Sequence, residues 1–328
     1  MLRCLYFGTD KYSARVLQGL LSNRNSVVKK LDVVCPPQKA LKIKGKLVIK
    51  PSPVELSAKD NNLDVFYYDK VKQDVNQMVC HYDVGVVVSF GYLLPHKIIK
   101  WFPRGCINVH PSLLPKYRGA APLHHTVING DSVSGCTVVE LSSNKFDCGP
   151  VLLQRKHKIV SSVTTELLSD QLADLGSKML CEILTDLDHF EANKQMQDDK
   201  QATLASKMTK QMGHIKFNIW TADYCDRIYR AIGVEYGIWV QFGSKMVRLV
   251  EIHTNKDWTT TNDKIPGMLT YNRRSQLFTL HFKQGHILVS RLQVATRRPT
   301  TAAEFYNGYI SAFENKTVIL ESINLQRN

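Results

Sequence analysis

The sequence CINVHPSLLPKYRGAAP, residues 106–122, sets an asparagine and a histidine two positions apart in an apolar run. If residues 105–110 form a strand, the alternation of side chains places Asn108 and His110 on the same face. The prolines and the glycine that follow cannot continue a strand, so the chain must turn into a shaped loop. Ligand crevices of open α/β sheets form at the carboxyl ends of strands, which is where this pair stands.

A third polar group can reach the same edge. The strand predicted for residues 136–141, CTVVEL, runs into the loop SSNKFDCGP, which contains Asp147. An amide, an imidazole and a carboxylate suffice for acyl-type transfer to an amine without a covalent nucleophile. In that chemistry Asn108 donates a hydrogen bond to a developing oxyanion, and His110 manages protons with the support of Asp147. Spacing alone leaves plainer interpretations open, since all three can be satisfied structural or turn-capping groups.

Other residues of chemically useful types lack the spacing of a known site. Gly8 and Thr9 lie between a predicted strand and a predicted helix, but this turn lacks the G-x-G-x-x-G motif of dinucleotide-binding loops. Ser112 is not part of a G-x-S-x-G motif, the nucleophile turn of many hydrolases. His124 and His125 have no ligand partner at metal spacing, so no metal is expected. The eight cysteines form no C-x-x-C pair, which favours a reducing compartment.

The arrangement of elements predicts two domains. Residues 1–190 alternate β-branched or aromatic runs with amphipathic stretches, which predicts an α/β domain with a mostly parallel sheet flanked by helices. Within it, the leucines of residues 165–184 recur with a 3.6-residue period and predict a helix. The polar segment 191–212 is interpreted as a linker. Residues 213–328 hold one helix and five closely spaced short strands, a pattern typical of a small barrel.

The charge of the chain indicates anionic partners. The net charge is +14, and residues 201–328 carry more than half of that surplus although they are the smaller part. Such a surplus favours nucleic acid or polyphosphate. No apolar run approaches the roughly 20 residues needed to cross a bilayer, so no membrane partner is expected.

A second charged feature lies near the amino terminus. Residues 29–50 contain seven lysines and a single acidic residue, Asp32, and are predicted to form a basic loop. A one-sided run of this kind is either a solvated surface or a nucleic-acid contact. The candidate contacts are Lys39, Lys42, Lys44 and Lys46.

Together these motifs resemble the 10-formyltetrahydrofolate-dependent formyltransferases. The segment INVHPSLLPKYRGAAPLHHTVINGD and the motif FDCGP carry the resemblance, and LYFGTD and IKFNIWTADYCDRIYRAIG extend it over nearly the whole chain. Within that family the chain is most similar to the members that act on methionyl-tRNA, and DVGVVVSFGYLL, FDCGPVL and EFYNGY resemble their animal mitochondrial branch.

The resemblance implies a fold, a reaction and a set of site residues. It implies a Rossmann-type catalytic domain at 1–190, a linker at 191–212 and an OB-like, tRNA-binding barrel at 213–328. The implied reaction is formyl transfer from 10-formyltetrahydrofolate to the α-amine of charged initiator methionyl-tRNA, by a monomer in the mitochondrial matrix. The catalytic residues would be Asn108, His110 and Asp147, and the folate-binding residues Ser89, Phe90, Gly91, Ser112, Leu113, Leu114 and Pro115.

Two rival functions share part of this pattern. Formyltransferases acting on glycinamide ribonucleotide or an amino sugar would use the same three polar residues but need no basic barrel. A non-catalytic RNA-binding relative would keep the charge and lose one of the three, whereas all of them are present.

Overall fold

The computed structural model describes residues 1–38, 40–43, 46–73, 81–142, 145–254, 264–313 and 317–323. It divides into two compact units. The first comprises Met1–Thr126, Asp131–Ser161 and Glu166–Lys207, and the second comprises Val127–Gly130, Ser162–Thr165 and Met208–Asn328. The domain limits 1–190, 191–212 and 213–328 stay a prediction. Among the described residues, no helix is both long and apolar enough to span a bilayer.

The elements up to residue 207 alternate between strands and helices. The strands are β1 (Leu2–Gly8), β2 (Val28–Cys35), β3 (Ala40–Ile43), β4 (Lys46–Ile49), β5 (Val65–Tyr67), β6 (Val84–Val88), β7 (Cys106–His110), β8 (Arg118–Gly119), β9 (Val133–Glu140), β10 (Val151–Lys158) and β11 (Leu204–Ala205). The helices are α1 (Lys11–Ser22), α2 (Arg24–Val27), α3 (Pro53–Asp60), α4 (Tyr68–Gln73), α5 (His96–Ile99), α6 (Pro122–Asn129), α7 (Thr165–Thr185) and α8 (Leu187–Ala192).

Seven of these strands form one sheet in the order β10-β9-β7-β6-β1-β2-β5. The pairs β7–β6, β6–β1, β1–β2 and β2–β5 are parallel, whereas β9 and β10 join antiparallel at one edge. Strand β6 shows why this sheet forms, because its sequence VGVVV is buried along its whole length, as expected for a parallel strand covered on both faces. The predicted α/β fold with a mostly parallel sheet is confirmed.

Helix α7 covers one face of β7 and leaves the other face to the polar residues. It presents a row of buried residues including Leu168, Leu172 and Leu180, as the leucine period predicts. Gly176 lies directly against the sheet, because a Cβ added there would be 2.8 Å from Val109 Cγ1. The helix therefore covers the Val109 face of β7. The alternation of side chains then turns its two polar residues to the other face.

The second unit contains an antiparallel barrel. Its strands are β12 (Ile238–Phe242), β13 (Lys245–His253), β14 (Met268–Asn272), β15 (Leu277–His281), β16 (His286–Val294), β17 (Thr300–Thr301) and β18 (Thr317–Ile319), and its helices are α9 (Ala222–Ile232) and α10 (Ala302–Phe305), with a π-helical turn at Tyr306–Ile310. The strand order is β12-β13-β16-β15-β14-β18, with β17 beside β16. Gln241 of β12 and Glu321 after β18 exchange two backbone hydrogen bonds of 2.9 and 2.8 Å. These bonds join the two ends of the order, so the predicted small barrel is confirmed.

The basic segment near the amino terminus differs from the prediction. It is a β-hairpin in which β3 pairs antiparallel with β4, with Lys42 opposite Leu47 and Ile43 opposite Lys46. The prediction of a loop over residues 29–50 was wrong, because residues 29–35 belong to β2 and the lysines of residues 40–49 mask two short apolar-rich strands, ALKI and KLVI. Lys39 and Lys44 lie outside the described residues.

Among its described residues, the second unit contains two histidines with unpartnered rings, His281, which is buried, and His214, which is half-buried. Neither ring nitrogen of His214 or of His281 has a hydrogen-bond partner within the described part of the chain. Burial lowers the pKa of both imidazoles, assisted by Lys210 at His214 and by Lys264 and His286 at His281. Both rings are therefore held neutral in the folded protein.

This burial predicts a loss of stability at low pH. The unfolded chain takes up protons at histidine near pH 6.5, whereas the folded chain resists them. Stability contributed by the neutral rings is thus present above about pH 6.5 and falls as the pH drops below it. We expect the melting temperature of the wild type to fall between pH 7.5 and 5.5, and to fall less in His281→Phe. Equal falls in both proteins would exclude His281 as the cause.

Candidate active site

Strand β7 places two polar side chains next to each other in a buried position. Asn108 and His110 are only 8% and 5% exposed, although both carry groups that need partners. Val139 and Thr137 of β9 stand opposite them in the antiparallel ladder. The hydrogen-bond partners of these two side chains therefore indicate the role of this end of β7.

The third residue of the site is Asp147. Its Oδ1 accepts a hydrogen bond from Asn108 Nδ2 at 3.1 Å and lies 3.5 Å from His110 Nδ1. Its Oδ2 accepts from the backbone N–H of Gly119 at 2.9 Å. The convergence of asparagine, histidine and aspartate that the sequence predicts is present in the structure.

The partners of His110 determine where its protons lie. His110 Nε2 is 2.9 Å from the carbonyl oxygen of Tyr117. Since a carbonyl only accepts, Nε2 must carry a hydrogen. His110 Nδ1 then faces Asp147 Oδ1, and these two atoms can form a hydrogen bond only when one proton lies between them. The structure therefore brings an imidazole nitrogen and a carboxylate oxygen within reach of one shared hydrogen.

Asn108 keeps part of its donor capacity. Its amide nitrogen has two hydrogens, and the contact with Asp147 Oδ1 uses one of them. Within the described residues the other hydrogen has no acceptor, which leaves it for an oxygen atom of a ligand. An amide donor in a largely desolvated position is suited to stabilise negative charge that develops during a reaction.

The loop after β7 is shaped by side chains of the two antiparallel strands. Thr137 Oγ1 donates to Ser112 O at 2.6 Å and accepts from Leu114 N at 3.0 Å. Gln154 Nε2 donates to Leu114 O at 2.8 Å and to Thr137 Oγ1 at 2.9 Å. The Leu114–Pro115 peptide is cis. Sequence reasoning missed Thr137 of β9 and Gln154 of the edge strand β10, because a single Thr or Gln within a strand carries no signal of its own.

The predicted folate-binding loop turns several side chains inward. Ser112 and Leu114 are buried, and Ser112 Oγ donates to the carbonyl of Lys116 at 2.6 Å. Leu113 and Pro115 are half-buried. Any ligand contact by Ser112 or Leu114 would therefore use the backbone, while Leu113 and Pro115 keep side-chain surface.

The second predicted folate segment, residues 89–91, lies at the end of β6. Phe90 is buried in an aromatic cluster, with its ring centroid 5.4 Å from that of Phe7 and 5.0 Å from that of Tyr68. Ser89 and Gly91 are exposed and have positive φ angles of 47° and 80°. The chain thus turns sharply around an anchored ring, and Ser89 and Gly91 are the residues left accessible.

The β1–α1 turn fastens that segment. Thr9 Oγ1 donates to the carbonyl of Phe90 at 2.8 Å, and Ser89 Oγ donates to Asp10 Oδ2 at 2.8 Å. Asp10 also caps α1 by accepting from Ser13 N at 2.9 Å. Burial raises the pKa of the Asp10 carboxyl, although these hydrogen bonds oppose the shift. The turn at Gly8 and Thr9 is therefore structural, as its sequence indicates.

Part of the polar segment after α8 reaches the site as well. Tyr117 N donates to Thr203 Oγ1 at 2.8 Å, and Thr203 N donates to the carbonyl of Pro115 at 3.2 Å. Strand β11 pairs in parallel with β8 through Leu204–Arg118 and Ala205–Gly119. Residues 203–205 of this polar segment are therefore bound along the loop that follows β7.

Comparison with known proteins assigns this architecture to a family. The family model described as Formyl transferase matches residues 2–184, and the model of the formyl transferase C-terminal domain matches residues 207–310. Among solved structures, a sugar 3N-formyl transferase, WlaRD, crystallised in the presence of dTDP and 5-N-formyl-THF, has a TM-score of 0.61 at 17% identity. That likeness covers 91% of this chain and 99% of the other. HypX from Aquifex aeolicus, solved with tetrahydrofolic acid, has a TM-score of 0.60 at 12% identity over 95% of this chain and 48% of the other.

Relatives with closer sequences specify the family further. The mitochondrial methionyl-tRNA formyltransferase of Homo sapiens is 34% identical over 324 residues, covering 96% of this chain and 79% of that protein. The methionyl-tRNA formyltransferase of Ehrlichia canis is 31% identical over 312 residues, covering 94% of this chain and 97% of that protein. Both alignments include the barrel as well as the α/β unit. With these identities over nearly its whole length, the chain belongs to the methionyl-tRNA formyltransferase family.

Proposed function

We propose that this protein transfers the formyl group of 10-formyltetrahydrofolate to the α-amine of methionyl-tRNA, giving formylmethionyl-tRNA for translation initiation. The observation that carries the proposal is the convergence of Asn108, His110 and Asp147 in a chain that aligns along both units with methionyl-tRNA formyltransferases. The net charge of +14 agrees with a nucleic-acid substrate. Formyl-tetrahydrofolate is here a co-substrate, and the reaction as proposed uses no metal.

The geometry suggests a division of labour in the reaction. The neutral α-amine attacks the formyl carbon, and the carbonyl oxygen gains negative charge as the new C–N bond forms. The free N–H of Asn108 donates to that oxygen. The attacking nitrogen must lose a proton and the departing N10 of the folate must gain one. The pair of His110 and Asp147 gives a proton to N10 of the folate. The same pair then accepts the proton that the attacking nitrogen loses.

We assign the folate contacts according to which side chains of the two predicted folate-binding segments are accessible to a ligand. We assign contacts with the pteridine and the formyl group to Ser89, Gly91, Leu113 and Pro115, and contacts through backbone groups to Phe90, Ser112 and Leu114. The burial of the last three side chains supports this division. A mitochondrial matrix location and a monomeric state are part of the proposal, and the mitochondrial relatives at 32–34% identity support the location.

An acceptor comparison tests the proposed function. The protein is mixed with formyl-labelled 10-formyltetrahydrofolate and, separately, with initiator methionyl-tRNA, glycinamide ribonucleotide or a dTDP-linked amino sugar. We expect kcat/KM to be highest for methionyl-tRNA by several orders of magnitude. Preferential labelling of either small amine would support the rival enzyme class, and labelling of none would support a non-catalytic RNA-binding protein.

The lysine-rich segment of residues 39–46, which includes β3, is predicted to contribute electrostatic contacts with tRNA. We call it the lysine hairpin. Lysine side chains act as point charges on phosphates, so their contribution should depend on salt and not on base identity. The variant replaces Lys39, Lys42, Lys44 and Lys46 with alanine. We expect weaker tRNA binding and a flatter dependence of log Kd on log salt, with each lost phosphate contact reducing the slope by about one unit at most. Folate affinity should stay the same.

The comparison needs a variant with the same loss of charge. Replacing four exposed lysines elsewhere in the first unit, Lys70, Lys97, Lys100 and Lys178, removes an equal number of charges. Affinity titrations across salt then separate a local contact from a general effect of net charge. If both quadruple variants show the same slope as the wild type, the hairpin is only a solvated surface.

A further inference from the structure

Asp147 is held by a segment outside the sheet, residues 194–205, which we call the strap. Near its start, Gln195 and Val151 exchange two backbone hydrogen bonds, of 2.7 and 2.9 Å. At its end, β11 pairs with β8. The strap is thus tied on one side to the chain just after Asp147 and on the other to the chain beside the Tyr117 carbonyl that orients His110.

Between these two attachments, one side chain of the strap reaches the aspartate loop. Gln197 Nε2 donates to the carbonyl oxygen of Asp147 at 2.9 Å and to that of Gly149 at 2.8 Å. Gln197 Oε1 accepts from Arg118 Nη2 at 2.7 Å and from Arg118 Nε at 3.1 Å. Arginine can only donate and the two carbonyls can only accept, so the orientation of the amide is fixed. All hydrogen-bonding capacity of its nitrogen is used on the aspartate loop.

Arg118 is itself held in place on both sides. Its side chain is almost fully buried and forms an ion pair of 2.8 Å with Asp199 of the strap. Its backbone N–H donates to Thr203 O at 2.8 Å. The next residue, Gly119, donates its N–H to Asp147 Oδ2, and it must be glycine because its φ is 121° and a Cβ would lie 2.8 Å from Ala205 O. The strap therefore positions both the backbone and the carboxylate of Asp147.

The conformation of Asp147 explains why it needs this support. Its φ angle of 56° lies in the left-handed region, which aspartate adopts more readily than most residues but still at a cost in free energy relative to glycine. Such a conformation persists only where the surroundings determine it. The two hydrogen bonds from Gln197 bracket the peptide units that follow Asp147 and hold them in this turn.

We propose that Gln197, oriented by Arg118, is a positioning residue for formyl transfer that keeps the Asp147 carboxylate against His110 and Asn108. This inference rests on the proposed function and adds a residue that touches no reacting atom. A displacement of about 1 Å in a catalytic group can cost as much as 100-fold in rate. Loss of the Gln197 contacts should therefore act on the chemical step and leave substrate binding unchanged.

The test uses an isosteric variant and a matched control. Gln197→Glu keeps the size and the contact with Arg118 but replaces both donors with an acceptor, and Gln197→Ala removes the side chain. We expect kcat to fall roughly 10–100-fold in both, with KM for folate and for methionyl-tRNA unchanged. Gln201→Ala is the control on the same strap, since the Gln201 side chain donates to Asp198 and not to the aspartate loop. Its kcat should equal that of the wild type.

A double variant distinguishes positioning from a general structural role. If Gln197 acts through Asp147, Gln197→Glu should reduce kcat little further in an Asp147→Asn background. Full multiplication of the two losses would overturn the proposal, as would an unchanged kcat in Gln197→Glu.

A readout independent of activity separates this inference from the proposed function. Hydrogen exchange should become faster at the Gly119 amide and over residues 147–149 in Gln197→Ala, and not in Gln201→Ala. Unchanged exchange in Gln197→Ala would overturn the positioning role even in a fully active enzyme. Failure of the wild type to formylate methionyl-tRNA would instead count against the proposed function, while the exchange result would still decide whether Gln197 holds Asp147.

Discussion

Replacing Asn108 with alanine is expected to lower kcat by roughly 10²–10³, the range seen when a single oxyanion donor is removed. In the proposed mechanism the second amide hydrogen of Asn108, a residue that is 8% exposed, donates to the formyl oxygen. It meets full negative charge only while the tetrahedral intermediate forms. Its loss should therefore reduce kcat and kcat/KM by similar factors, and leave the dissociation constants of folate and tRNA nearly unchanged. Steady-state kinetics with direct binding measurements check this.

The control for Asn108→Ala is Asn61→Ala. Asn61 is also an asparagine with a local hydrogen bond, since its Nδ2 donates to Ser57 O at 2.8 Å, but it lies at the end of α3. Its loss should leave kcat unchanged. If Asn108→Ala instead kept kcat and weakened folate binding, Asn108 would be a ligand contact and the oxyanion role would be wrong.

The second large effect concerns the pair His110 and Asp147. We expect His110→Ala and Asp147→Asn each to reduce kcat by roughly 10²–10⁴, the contribution typical of general acid–base catalysis. The double variant should be scarcely worse than the worse single variant, because Nδ1 and Oδ1 are 3.5 Å apart and the two residues act on the same proton transfers in the proposed mechanism.

A complete double-variant cycle decides whether the pair acts together. The four proteins are compared at saturating substrates, and circular dichroism confirms that each is folded. The prediction fails if the two single losses multiply in full, because the residues would then act independently. An Asp131→Asn variant serves as the control, since Asp131 accepts from Lys116 and Tyr117 in the neighbouring loop without contacting His110.

The sequence predicts the parts of the site that rest on regular periodicity. The two-residue spacing of Asn108 and His110 places them on one face once β7 is recognised as a strand. The fold class is predictable for the same reason, since β6 reads as a continuous apolar run and α7 as a 3.6-residue pattern. The position of Asp147 does not follow in the same way, because β9 is antiparallel to β7 and the carboxyl ends of these two strands lie at opposite edges of the sheet. The loop after β9 has to bring Asp147 back to the Asn108–His110 pair.

The remaining parts depend on contacts between segments that have no periodicity. Gln197 and Thr203 lie in a polar stretch whose composition indicates only a linker. Their role comes from pairing with a loop about 80 residues earlier in the chain. The inward orientation of Phe90 was equally unpredictable, because an aromatic residue in SFG suits a ligand pocket as well as a core. The hairpin of β3 and β4 was missed because its two apolar-rich strands are only four residues long and lie among lysines.

The central claim is that this site moves a formyl group from folate nitrogen to the α-amine of methionyl-tRNA, and a single-turnover experiment tests it most directly. Excess protein is mixed with 10-formyltetrahydrofolate that carries a labelled formyl carbon and with a limiting amount of methionyl-tRNA. The product is hydrolysed from the tRNA and identified by mass spectrometry. We predict labelled N-formylmethionine in one rapid exponential phase, slowed roughly 10²–10³-fold in Asn108→Ala. Label that stays on folate, or that leaves as free formate while methionine remains unmodified, would contradict the account.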